Sequence, residues 1–168
     1  MKTDLLTTTD TANTSSLFVR TVVALVILPH GLQKLVGSFG GYGFNGTMDY
    51  FTNDVGMPWI FGFLVILLET FGMVLLLAGL LSRLVAGSLI VVMIGAAYQH
   101  RQNGFFMNWF GNQAGEGVEF FILAVSLSLL IVVQGAGKWS VDRWLSTKMR
   151  TVRAEERRYA SYFTHHTG

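Results

Sequence analysis

Six side chains that can exchange protons or make hydrogen bonds interrupt otherwise apolar stretches: His30, Gln33, Lys34, Glu69, His100 and Glu119. An ionisable group inside a bilayer costs a few kcal/mol on insertion scales, so it normally faces a bundle interior or a water-filled cavity. The chemistry available to this set is acid–base exchange and hydrogen bonding to a buried ligand. Cysteine is absent, which removes thiol redox chemistry, disulfides and cysteine-held metal clusters. No bound metal is expected.

Helical geometry predicts that these groups converge. At about 1.5 Å per residue, His30 lies about 20 Å from an end at Leu17, and Glu69 about 16 Å from an end at Leu80. The two segments run in opposite directions, which puts His30 and Glu69 at similar depth. Arg20, His30 and Lys34 fall within an arc of about 80° on one helix face. That face is expected to meet Glu69 inside the bundle. Lys34, His100 and Glu119 fall near one boundary and Arg20 near the other. The expected site is a polar cavity in one half of the bundle, lined by all six residues.

Each residue also has a purely structural reading. Glu69 is consistent with an ion pair holding two helices, its partner being His30, Lys34 or Arg20. His30 follows Pro29 and is consistent with a core histidine beside a kink. Arg20 and Lys34 are long enough to snorkel to an interface. Glu119 suits a helix N-terminus. A structural salt bridge needs two groups, however, and one half of the bundle receives nearly all of them.

The positioning elements follow from composition. The chain has 168 residues, of which 51% are hydrophobic and 13% charged. Soluble domains carry about 25% charged residues, so a nucleic-acid-binding domain and an ordinary cytosolic enzyme are excluded. A hydrocarbon core about 30 Å thick needs roughly 20 apolar residues. Four stretches qualify, at about 17–36, 58–80, 83–100 and 118–134. The fold class is therefore all-α, an integral membrane four-helix bundle. Leu81 and Ser82 are expected to form a tight turn between spans two and three.

Of 12 Lys and Arg residues, only Lys34 and Arg101 lie on the loop side, leaving 12 − 2 = 10 on the terminal side. By the positive-inside rule both termini are cytoplasmic, in a bacterial inner membrane. Residues 1–16 read as a disordered tail without the basic start or cleavage site of a signal peptide. Residues 17–137 form the membrane domain. Residues 138–168 form a basic amphipathic helix for the cytoplasmic membrane surface. In the first outer loop Thr47 reads as an N-cap, with Met48, Phe51 and Val55 as an apolar face and Gly56 as a stop. That predicts a short interfacial helix over the cavity mouth.

Together these residues resemble the DoxX family of small four-helix bacterial membrane proteins. The matching segments are Arg20, Pro29 to Leu35, Phe39 to Gly43, Phe51 to Pro58, Glu69, Gly79 to Arg83, His100 with Asn103 to Phe106, Glu119-Phe120 and Gly135 to Asp142. The resemblance spans about Leu17 to Arg143. It implies membrane redox chemistry: one related branch looks like a subunit of a thiosulfate:quinone oxidoreductase, another is tied to a complex for oxidative and thiol stress. On that basis the chain is expected to be a quinone-interacting subunit, with quinone as a diffusible substrate. His30 and Glu69 would act catalytically by exchanging protons, and Gln33, Lys34, His100 and Glu119 would bind the quinone. Electrons would come from a partner or a reduced substrate. The expected partners are the lipid bilayer, a quinone and a soluble redox protein, with no nucleic acid; a homo-oligomer is left open. The alternatives are a non-catalytic membrane anchor for a soluble redox enzyme, or a small transporter, although no internal repeat of the transporter kind is evident.

Overall fold

The computed structural model describes residues 14–166. The expected disordered tail therefore falls largely outside the described residues. Every regular element among those residues is helical. Helix α1 spans Ser15–Val36 and runs on through Pro29. It ends at Gly37, whose left-handed φ of 75° is open to glycine at little cost. A short helix α2, Gly43–Asp49, continues into one wider π turn at Tyr50–Asp54. Helix α3 covers Trp59–Ala78. Helix α4 covers Ser82–His100, α5 Glu119–Gln134 and α6 Val141–His166.

Three helices are long and apolar enough to cross a membrane: α1, α3, and α4 with its short extension to Asn103. The fourth apolar helix, α5, has 16 residues, or about 24 Å at the helical rise. The core runs between these four. Ala24 and Ile27 of α1 meet Met73 and Leu76 of α3, Ala86 and Leu89 of α4 and Ile131 of α5. Large apolar side chains such as Phe18, Trp59, Phe71, Val91 and Leu129 point outward. Outward apolar residues around helices whose backbone bonds are internally satisfied suit a lipid environment.

Two local expectations change. Thr47 does not open the outer helix: α2 begins four residues earlier at Gly43, and Thr47 lies inside it, buried beside Met48. The stop does fall at Gly56, with φ 71°. The turn between α3 and α4 is made by Gly79 to Leu81, with Ser82 already helical. Leu81 itself takes a left-handed φ of 53°, which costs an L-residue roughly 1–2 kcal/mol.

That strained turn is held from far along the chain. Asp142 is buried and its carboxylate accepts the backbone N–H groups of Leu81 at 2.8 Å and Ser82 at 3.1 Å. A residue of α6 thus caps the N-terminus of α4. The Asp142 backbone N–H returns to the Gly79 carbonyl at 3.0 Å. Arg20, expected near an interface, is instead only 1% exposed. Its Nη1 donates to the carbonyls of Leu76 and Leu77 at the end of α3, and its Nη2 donates to the carbonyl of Trp139. A cation at a helix C-terminus satisfies carbonyls that lack intrahelical partners. A side chain at Gly79 would collide with the Arg20 guanidinium. Ser16 completes the lock by donating to the Gly135 carbonyl.

Candidate functional site

The terminal end is closed, and the loop end of the α3–α4 hairpin opens. Helix α4 contacts the second half of α3, around Leu68–Ala78, and has little contact with Trp59–Leu67. Between the two helices lies a cavity of about 1200 Å³. Ligand clefts are of this order, mostly apolar with a few convergent polar groups. Helices α3 and α4 form its walls. Ile27, His30 and Lys34 from α1 and Phe120 and Phe121 from α5 form its floor. Tyr50, Phe51 and Val55 from the turn after α2 close part of the loop end.

Glu69 is positioned by two features of its own segment. Residues Leu68–Gly72 form a π turn within α3, and such turns are frequent at functional sites. Here the Thr70 hydroxyl donates to the Ile66 carbonyl at 2.7 Å. Opposite, Gly31 of α1 lies directly against the Glu69 carbonyl and the Thr70 nitrogen, where any Cβ would collide with backbone. One turn beyond Gly31, Lys34 reaches the Glu69 carboxylate with its Nζ 2.5 Å from Oε2. The Glu69 side chain is 5% exposed and that of Lys34 26%. Of the three partners open to Glu69 in the sequence, the fold brings it Lys34. Arg20 is held at the far end.

The two histidines approach the cavity from different helices. The His30 ring packs on Phe120 at 6.0 Å, and the His100 ring stacks on Phe121 at 5.3 Å. Phe120 and Phe121 contact each other edge to face at 5.7 Å. An unbroken row of four rings therefore runs from α1 through α5 to α4. Nδ1 of His100 lies 3.4 Å from the Asn103 amide.

Gln33 and Glu119 do not join the lining. The Gln33 amide donates to the Phe39 carbonyl at 3.4 Å, and Gly41 packs against the Gln33 backbone. The Glu119 carboxylate accepts the Met107 N–H at 3.2 Å and so organises the second loop. Gln33 faces the loop segment that follows Gly37, and Glu119, the first residue of α5, faces the segment before it, so both side chains are taken up by loop contacts. Conversely, Tyr50, Gln99 and Glu116 line the cavity although sequence reasoning did not select them. For Gln99 a signal existed, its place beside His100 on an apolar helix. Tyr50 opens the π turn after α2, next to the expected apolar face of Met48, Phe51 and Val55 but not part of it. Glu116 sits in a loop, whose course periodicity does not reveal.

The polar lining is therefore one ammonium–carboxylate pair, two imidazoles, two tyrosines, Ser88, Gln99 and Glu116 around an apolar slot. It can donate hydrogen bonds to carbonyl oxygens and exchange protons with them. A family model described as DoxX matches residues 15–108, more than half of the chain. The matched stretch contains His30, Lys34, Glu69 and His100 and ends before α5. No curated protein and no solved structure matches the chain.

Proposed function

The chain belongs to the DoxX family, and from that premise we propose that this multi-pass membrane protein is a quinone-interacting subunit of a membrane oxidoreductase. The supporting observation is the apolar cavity lined by the Lys34–Glu69 pair, by His30 and by His100, the two histidines standing at opposite ends of the row of rings through Phe120 and Phe121. A quinone head needs a flat apolar slot and donors at its two carbonyls. Lys34 and His100 supply donors. His30 and Glu69 supply groups that take up or release protons as the ring gains or loses electrons. Reduction of a quinone to a quinol consumes two electrons and two protons. The protons pass through these side chains, and the electrons come from a reduced substrate or a soluble redox partner.

In this reading α1, α3, α4 and α5 are the four spans. The basic residues on the terminal side, including Arg83 and the run through α6, support a topology with both termini in the cytoplasm of a bacterial inner membrane. The cavity then lies in the outer half.

The test is a quench titration of the purified, detergent-solubilised chain with a soluble quinone. Saturable quenching that weakens at least tenfold in Glu69→Gln is expected. A well-folded wild type that shows no saturable quenching removes the quinone site and leaves the anchor role, in which the polar groups only fix helix packing.

A further inference from the structure

The cavity is much longer than a quinone head requires, and its two halves differ chemically. Its α4 wall runs from Leu84 to Tyr98 and beyond, about 21 Å at the helical rise. Glu69 lies nine residues before the end of α3, about level with Val91 on the antiparallel α4. All the ionisable lining groups sit at or loopward of that level. The terminal-side half, about 10 Å of slot, is walled by Phe71, Gly72, Leu75, Leu84, Val85 and Ser88. None of these carries a charge. Gly72 packs closely on Leu68 and Val85, so the slot runs along the outer side of that helix contact, past the small Ser88 and the exposed Leu84.

The slot is also open along its side. Phe61, Leu64 and Phe71 on α3 face Leu84, Val91 and Tyr98 on α4 across it. Each is more than half exposed or close to it, with Val91 at 71% and Phe71 at 56%. Residues that line a cavity and are also exposed mark its rim. The spacing of three and seven residues on α3, and of seven on α4, puts each set in a row along one helix face. Two such apolar rows describe a slit facing lipid rather than a funnel facing water.

We infer that the slot takes a quinone bearing a long apolar tail, which enters sideways from the bilayer between α3 and α4, with its head at Lys34–Glu69 and its tail along Ser88 toward Leu84. This rests on the quinone reading above and adds the substrate class and the route. Charge favours this occupant over a phospholipid. Lys34 is already neutralised by Glu69, so the head region offers donors without the net positive charge that a phosphate would require. The terminal side of the slot then acts as the selective element. A tailless quinone uses only the head region, and a tailed one gains apolar contact along the α3–α4 seam.

The experiment compares two ligands on the full chain in nanodiscs: a benzoquinone without a tail and the same head carrying two isoprene units. Ser88→Leu fills the tail half without adding charge to a lipid-embedded helix. The tailed ligand is expected to bind Ser88→Leu at least tenfold more weakly than wild type, with tailless binding unchanged. Partitioning of the tail into lipid is common to both proteins and cancels in that ratio. If Ser88→Leu does not fold, the smaller plug Ser88→Val is expected to give a reduced effect of the same pattern. Equal binding of the tailed ligand by folded variant and wild type overturns the tail channel while the head site stands. Tight co-purifying phospholipid that is lost in the folded variant also overturns it, in favour of a lipid groove. Absence of binding by either ligand to wild type overturns the quinone reading and this inference together.

Discussion

At the scale of single residues, the Lys34–Glu69 pair connects stability to chemistry. The carboxylate is buried and the ammonium partly open to the cavity. A pair in this position contributes little net stability, because desolvation offsets most of its attraction. Breaking it from one side is a different matter, since the remaining charge is left without a partner. Glu69→Leu is expected to lower unfolding stability by ~3 kcal/mol, read as a lower midpoint in detergent. The double variant Lys34→Leu/Glu69→Leu is expected to recover most of that loss while quinone binding stays absent. A double variant as unstable as Glu69→Leu alone would show that the pair is chiefly a clamp between α1 and α3. The position of these residues was only partly legible. That His30, Lys34 and Glu69 share a cavity followed from depth and helix face alone. That Glu69 chooses Lys34 depended on the backbone contact at Gly31, where a missing side chain lets α1 and α3 approach. No periodicity carries that information, because the same spacing fits a looser crossing.

At the scale of elements, the helices are arranged as a hinge with one locked end. Arg20, Gly79, Ser140 and Asp142 bring α1, α3, α4 and the start of α6 together. Ser140 caps α6 through the Arg143 N–H at 3.2 Å, and Asp142, two residues on, caps α4 instead of its own helix. The Asp142 carboxylate also acts electrostatically on the buried Arg20 guanidinium. Asp142→Ala is therefore expected to cost ~2 kcal/mol, the upper end for a lost cap, because it also leaves the left-handed Leu81 unsupported. Asp142→Asn keeps one acceptor and is expected to lose about half as much. Thermal unfolding of the three proteins in one detergent distinguishes this from a surface role, which would leave all three midpoints alike. The sequence marked Gly135 to Asp142 as a segment of interest. It did not reveal the cap, because the capped helix begins sixty residues earlier in the chain.

At the scale of the whole molecule, the charge distribution and the cavity define two different ends. The basic residues concentrate at the locked end, and the cavity with its loops lies at the other. Because the chain has no cysteine, orientation can be tested with single introduced thiols. Asn112→Cys in the second loop is expected to react with a membrane-impermeant maleimide in cells whose outer membrane alone has been opened. Thr147→Cys on α6 is expected to react only after the inner membrane is opened. Reversed labelling would place the cavity in the cytoplasmic half and oblige any partner to dock there.

What the amino-acid sequence determined by itself is the class of molecule and part of the cavity lining, namely His30, Lys34, Glu69 and His100. Long apolar stretches force helices in lipid, since each must satisfy its own backbone hydrogen bonds. Ionisable residues within those stretches must then turn inward, and counting residues sets their depth. Tertiary structure decided the rest. It paired Lys34 with Glu69, sent Gln33 and Glu119 into loop contacts, and buried Arg20 against the end of α3. It also spread α3 from α4 into a slit. Each of these depends on how close two helices approach and how a loop turns between them. Small residues such as Gly31, left-handed glycines such as Gly37 and a distant cap such as Asp142 set those quantities, through contacts between segments far apart in the chain.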